Sequence, residues 1–510
     1  MDIFAFVLYF VAMLGVGIYF FFKSKSVTEK DYFLGGRAMG PWVTAMSAQA
    51  SDMSAWLLMG LPGSILAFGF GQAWIGIGLA IGTAANWILV AKRLRKFSKA
   101  SGDAITLPQY LSNRFLTKDH TVSIICAVVF LVCFTIYVAS AFVAGADVFT
   151  TLVPSLSTST AMIIFAAIVV IYTFLGGFNA VCWTDFFQGL LMLGALLVVP
   201  VVIGFTRTLD TSALATIYTG PNGEEFEFVA NFFNASWKDI VSGLGWGLGY
   251  FGMPHIIVRF MAIEKPSMVK KSATVGIIWV ILTLGAAIVI AYLGRMFVYS
   301  NGVDLSAKLL AEGKQSLIFV ELARDVFPPF LAGLLLAAII AASMSTADSQ
   351  LLVAASSFSS DLYKPIIRKN ASNKEMLWVS RLVVIAISII AFFIASSKGK
   401  AAQAIMDLVS NAWGIFGAAF GPVVLLSLFW KRFTYKGAVA GIIVGAVVDM
   451  VWLWLPVAGS TLTAITGIYE IVPGFIIGGI VAILVTLIDK APSAEVEAIY
   501  ERATDNSIDD

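Results

Sequence analysis

Charge is scarce in this sequence: 13% of its 510 residues are Asp, Glu, Lys or Arg and 59% are hydrophobic, where soluble domains average about 25% charged. A water-soluble fold cannot cover that much apolar surface, so the chain reads as a membrane protein. Histidine is limited to His120 and His255, and cysteine to Cys126, Cys133 and Cys182. These five residues offer neither metal-ligand spacing nor a disulfide framework, and the thiols read as buried packing. They also leave no nucleophile–base constellation for an enzyme. Long polar blocks are missing too, which points to one membrane domain. A net charge of +2 says little about partners; no basic patch points to nucleic acid, and no repeated filter loop or ring of charges points to a channel. The first apolar run is preceded by Asp2 and lacks a small-residue cleavage site, so it reads as an uncleaved span rather than a signal peptide.

What the chain has in quantity is apolar runs. A helix needs about 20 such residues to cross a bilayer, because every backbone group must be bonded internally. Runs at 3–22, 41–68, 72–91, 121–149, 160–176, 184–206, 239–263, 272–296, 328–358, 376–397, 402–429, 437–456 and 465–488 give about thirteen spans. An odd count puts the termini on opposite sides. With the N-terminus outside, inner segments hold 25 of the 33 lysines and arginines, among them Lys23, Lys25, Lys30, Arg37 and the cluster Lys92, Arg93, Arg95, Lys96, Lys99. The positive-inside rule then makes the C-terminal tail cytoplasmic. Residues 207–236 read as an outer loop carrying Glu224, Glu225 and Glu227, and 300–326 as an outer loop with a short helix. The expected home is a bacterial inner membrane.

Two spans are broken. The second holds Gln49, Ser51, Asp52 and Ser54 at its middle, where a charged residue must face the bundle interior or a cavity. The seventh carries Gly243, Gly245, Gly247, Gly249 and Gly252 ahead of Pro254, a stretch in which helix propensity collapses. The breaks lie five spans apart, as in two inverted five-helix repeats that place a substrate between them. Glycines that merely let helices approach closely are the alternative for the second break. The organisation expected is residues 1–40 as first helix and inner loop, 41–236 as first repeat with its outer loop, and 237–430 as second repeat. Two peripheral helices would occupy 431–489, and 490–510 would be the tail.

The ninth span holds Ser345, Thr346, Asp348 and Ser349 in an apolar helix. Positions 345, 348 and 349 share one face, and Thr346 points about 100° away, so one helix can serve two cation positions. Asp348 lies near the inner end of its span, at the depth where Trp183, Thr184 and Asp185 open the sixth. Helix capping by Thr184 or Asp185 and serine back-bonding to the helix are equally open readings.

Several segments carry a family resemblance: Asp31-Tyr32 with Leu34-Gly35-Gly36-Arg37, Ala50-Ser51-Asp52-Met53-Ser54 with Trp56-Leu57-Leu58-Met59-Gly60, Phe134-Thr135-Ile136-Tyr137, Gly176-Gly177-Phe178, Trp183-Thr184-Asp185, the run from Gly245 to Gly252, Met344-Ser345-Thr346 and the run from Phe416 to Val423. In these the chain resembles the sodium/solute symporters, and the segments of spans 2 and 7 resemble the sodium/proline branch. The resemblance implies an all-α polytopic membrane protein with a five-plus-five inverted-repeat core of leucine-transporter type. It implies import of proline or a similar small solute with sodium ion, by alternating access, in a protein functional as a monomer within the lipid bilayer. It implies a sodium site of the Ala50, Met53 and Ala342 carbonyls with the Ser345 and Thr346 hydroxyls, and a solute pocket lined by Tyr137, Trp246, Tyr250 and Pro254, with Ser54 and Trp56 beside it. Asp52 and Arg37 are implied in transport coupling, Asp52 near the ion path and Arg37 near the inner mouth. A second sodium is implied at Asp185, Ser345, Asp348 and Ser349, with aspartate at 348 where several family members carry serine. Pantothenate, a sugar or another amino acid remain alternative solutes.

Overall fold

The computed structural model describes residues 1–23, 28–397, 404–457 and 459–505. Lys25, the first two residues of the span expected at 402–429 and the final five residues of the tail lie outside the described residues. Among those described, ten helices are each long and apolar enough to cross a membrane. Expected runs 41–68, 160–176 and 239–263 do not reach that measure, each being shortened or divided by a break.

Helix α1 (Asp2–Lys23) leads through a left-handed turn to the first divided helix, α2 (Pro41–Met53) and α3 (Gly60–Phe68). Next come α4 (Phe70–Ala100), α5 (Thr121–Leu152), α6 (Thr158–Phe174) and α7 (Gly177–Thr206). The second divided helix, α8 (Trp237–Gly245) and α9 (Pro254–Ala262), precedes α10 (Val269–Arg295). Then follow α11 (Pro329–Ser356), α12 (Asn373–Ser397), α13 (Ala404–Phe429), α14 (Tyr435–Trp454), α15 (Ile471–Ile488) and α16 (Ala494–Thr504). Among the described residues, strands are confined to two two-residue hairpins in loops, Tyr218–Thr219 with Glu225–Phe226 and Pro456–Val457 with Ser460–Thr461. The loop at 300–326 contains two short helices, Leu305–Ala311 and Ile318–Val326, where one was expected.

Helix α11 is mainly apolar, and residues 335–356 are buried without interruption on every side, as a helix at the centre of a bundle must be. It packs against α1, α2, α5, α12 and the α6–α7 pair. Helices α14 and α15 pair tightly with each other and lean on α13 from outside. A seven-residue inner loop was expected between the fifth and sixth spans, but α6 and α7 meet at one break, Gly177, with φ 66°. Only glycine takes that conformation readily. Thr184 and Asp185 therefore lie inside α7 and cannot cap it; the Thr184 hydroxyl donates back to the Ala180 and Val181 carbonyls, each at 2.9 Å.

Much of the tail is a docked helix. Lys431 reaches Glu497 at 3.0 Å and Glu501 at 2.8 Å. The buried Arg114 guanidinium donates to the Val496 carbonyl at 3.2 Å and lies 5.3 Å from the Tyr500 ring. Helix α16 thus closes over the ends of α4 and α13 and over the short helix Leu107–Arg114 between α4 and α5.

Candidate functional site

The two breaks are built differently. Helix α2 stops at Met53 because Ser54 takes φ 47°, ψ −174°, a region that costs a residue with a side chain about 1–3 kcal/mol. The Ser54 hydroxyl accepts the Trp56 N–H at 3.1 Å, which locks the turn. The last carbonyls of α2, from Ala50 to Met53, belong to a helix end and lack the usual intrahelical donors. Helix α8 starts from a Ser236–Asp239 capping box and continues as a tighter helix, Trp246–Phe251, before Met253 turns extended and Pro254 opens α9. Its glycines serve close approach as well as the break: a Cβ on Gly78 of α4 would lie 2.1 Å from the Gly243 carbonyl oxygen, and one on Gly247 would lie 2.3 Å from that of Gly78. The packing alternative and the interruption therefore hold together.

Oxygens gather where α11 passes the end of α2. Ser345 Oγ lies 2.8 Å from the Ala50 carbonyl oxygen and 3.1 Å from that of Ala342. Thr346 Oγ1 is buried without a partner among the described residues, and Met53 is buried beside them. All are hard neutral oxygens, of the kind that suits a small monovalent cation.

On the other side of the same break stands an aromatic cluster. The Tyr250 hydroxyl donates to the Asp52 carboxylate, and Tyr137 donates to the Asp52 carbonyl at 3.4 Å. Trp56 stacks on Trp246 with ring centroids 5.4 Å apart, Tyr469 stacks on Trp246 at 5.0 Å, and Trp413 donates its indole N–H to the Trp246 carbonyl at 2.8 Å. Asp52, Ser54, Trp56, Tyr137, Trp246, Tyr250 and Pro254 are all buried. Trp413 and Tyr469, outside every motif singled out in the sequence, complete the wall. Beyond Trp246 a cavity of about 350 Å³ opens, lined by Gln72, Asp239, Asp407, Ser410, Tyr469 and Glu470 among others.

Asp185, Asp348 and Ser349 also meet, around a residue the sequence reading missed. Arg259 donates to Asp185 Oδ2 at 3.0 Å, to Ser349 Oγ at 2.5 Å and to Ser47 Oγ at 2.8 Å. Ser47 in turn donates to Asp185 Oδ2 at 2.6 Å, and Ser349 to Asp348 Oδ1 at 3.3 Å. Ser345 turns away from this cluster toward Ala50. Asp185 Oδ1 and Asp348 Oδ2 keep no partner among the described residues.

At the opposite end of the bundle from the cavity, Arg37 is nearly buried, with φ 57° after two left-handed glycines. Its guanidinium pairs with Asp103 at 2.8 Å and donates to Ser98 Oγ at 3.1 Å and to the Met261 and Ala104 carbonyls. Lys30 also pairs with Asp103. Partial burial alone would raise the Asp103 pKa, but Lys30 and Arg37 hold it below the usual carboxylate value. Arg95 adds hydrogen bonds to the Ile263 and Glu264 carbonyls at 2.6 and 2.9 Å. This end of the divided helices is tied shut.

The family model described as the sodium:solute symporter family matches residues 32–445. The sodium/proline symporters of Salmonella typhimurium and Escherichia coli are each 42% identical over 506 residues, 98% of this chain and 95% of theirs. The osmoregulated proline transporter OpuE of Bacillus subtilis is 40% identical over 486 residues, 95% of this chain and 94% of its own. Among solved structures, a sodium-coupled sialic acid symporter in a substrate-bound outward-open state superposes with a TM-score of 0.73 at 20% identity, over 96% of this chain and 98% of that one. At that identity the match speaks for the fold.

Proposed function

The chain belongs to the sodium:solute symporter family, and from that premise we infer that it is a transporter, not an enzyme, importing proline with sodium by alternating access. The observation that carries this reading is the break after α2. Its carbonyls face Ser345 on one side, while Asp52 holds Tyr137 and Tyr250 on the other. Cation and solute share one unwound backbone, so each steadies the geometry the other needs, and by linkage each tightens the other's binding by the same factor.

In this proposal sodium sits among the Ala50, Met53 and Ala342 carbonyls and the Ser345 and Thr346 hydroxyls. The solute lies against Tyr137, Tyr250, Trp246, Trp56, Ser54 and the start of α9 at Pro254. Flat aromatic faces suit the methylenes of a pyrrolidine ring, and parting the Trp56–Trp246 stack admits it. The cavity beyond Trp246 is the outer vestibule, with the N-terminus outside, the tail in the cytoplasm and an inner membrane of a bacterium as home. The Arg37–Asp103 network is the inner gate, and Asp52 transmits ion binding to Tyr250. Arg259 supplies one fixed positive charge to the Asp185–Asp348 cluster, leaving a second cation only one uncompensated carboxylate. Neutralising Asp348 then lowers the Hill coefficient for sodium if a second ion binds there. A single chain contains every residue of the site, and we assign the monomer as the working unit.

The test is uptake of labelled proline by the purified protein in liposomes under an inward sodium gradient, with potassium as control. Accumulation only with sodium is the expected result. Failure of unlabelled proline to compete overturns the solute, and equal uptake in potassium overturns the coupling.

A further inference from the structure

Two acids that this mechanism does not use sit beside the vestibule, on the helix pair outside the five-plus-five core. Asp449, on α14, has no exposed surface, and neither carboxylate oxygen has a partner among the described residues. Glu470, where α15 begins, is 2% exposed. The two converge on Gly414 of α13: a Cβ there would lie 2.9 Å from Asp449 Oδ2 and 3.4 Å from Glu470 Cγ. The Thr463 hydroxyl donates to Glu470 Oε2 at 3.1 Å and lies 3.3 Å from the Trp452 carbonyl oxygen.

Two neighbouring carboxylates out of water repel each other and each forfeits its hydration, a penalty that a cation between them removes. The oxygens on offer are two carboxylates, a hydroxyl and a carbonyl, a hard set that excludes the soft transition metals. They number six, a count calcium also accepts; sodium is the cation this family couples to transport, and competition by calcium separates the two. Access is provided by the cavity, in whose wall Glu470 stands with Asp239 and Asp407. Glu470 also follows Tyr469, which covers Trp246 at 5.0 Å and donates to the Ser410 carbonyl at 2.7 Å.

We propose that Asp449 and Glu470 bind a sodium ion at the vestibule, separate from the ion between α2 and α11, and that this ion holds Tyr469 over Trp246. The proposal rests on the assignment of the cavity to the outer side. The experiment is sodium-22 saturation binding to the purified full-length protein without proline, choline replacing sodium. Asp449→Asn and Glu470→Gln should each lose one bound sodium per chain or bind it at least about tenfold more weakly, as metal sites do when a supporting group is removed. Gly414→Ala, whose methyl group intrudes between the acids, should do the same, and Asp449→Glu should retain binding. Ser345→Ala should lose the other ion only.

Unchanged binding in the folded variants, judged by their size-exclusion profile, overturns the site and leaves the acids sharing a proton. Loss of all sodium binding in Ser345→Ala overturns it as well, and displacement of the ion by micromolar calcium reassigns it to a divalent cation and overturns the proposal. If Asp449→Asn does not fold, Gly414→Ala and Glu470→Gln carry the same comparison. Intact sodium binding without proline uptake would refute the solute and leave this site standing.

Discussion

The two divided helices occupy equivalent places in the fold and reach them by opposite chemistry. The first break depends on side chains that are present: Ser54 in a strained conformation, Asp52 as acceptor for Tyr250, Ser345 reaching across to Ala50. The second depends on side chains that are absent, with Gly78, Gly243 and Gly247 allowing backbone to touch backbone. The first break can therefore be tuned by ligand binding, because its polar groups have partners to exchange. The second is a rigid hinge seat that carries Trp246 and Tyr250 into place.

Filling the second break should do most damage. Gly78→Ala forces a methyl group into the Gly243 carbonyl and should destabilise the protein by about 1–3 kcal/mol, abolishing uptake; a drop in the thermal midpoint by fluorescence-detected size exclusion checks it. Emptying the first break should instead spare the fold. Ser345→Ala removes one proposed sodium ligand, so half-saturating sodium for uptake should rise about 10–100-fold with a wild-type thermal midpoint. Tyr250→Phe leaves the Asp52 carboxylate without its donor, at about 1–3 kcal/mol, and should raise KM for proline more than it lowers stability.

A milder change acts at the far end. Asp103 is held below its ordinary pKa by Lys30 and Arg37, so its support of the proposed inner gate is complete at neutral pH and is lost only as pH falls through that lowered value. Asp103→Asn imitates the loss at pH 7 and should speed trypsin cleavage at Lys99; unchanged cleavage would remove Asp103 from the gate. The smallest effect falls on Ser54. Glycine there relieves the strained backbone while losing the bond to the Trp56 N–H, a net change within about 1 kcal/mol. Alanine keeps the strain and loses the bond, so Ser54→Ala should melt below Ser54→Gly.

Much of this was legible in the sequence because the signals are local. Asp52 in an apolar run, the glycine series before Pro254 and Ser345 on an apolar helix each announce an exception to membrane composition. The parts that were not legible depend on partners far along the chain. Arg259 counted only as an inner positive charge, yet it is buried against Asp185, 74 residues away. Ser345 shares a helical face with Ser349, but crossing helices assign one to Ala50 and the other to Arg259. The inner loop expected before Asp185 vanished because a single glycine with positive φ does the work of seven residues. Trp413, within α13, and Tyr469, in the loop before α15, belong to no recognised motif, and only packing brings them to Trp246.

The docked helix α16 bears on the order of synthesis. Arg114 becomes buried on a membrane-embedded scaffold, yet one of the carbonyls it donates to, that of Val496, leaves the ribosome 382 residues later. Until then the ends of α4 and α13 and the short helix Leu107–Arg114 stay unclasped, with cationic side chains exposed. Assembly thus has a built-in completion step, and a ribosome that stalls before α16 leaves behind a chain that has spanned the membrane without being sealed.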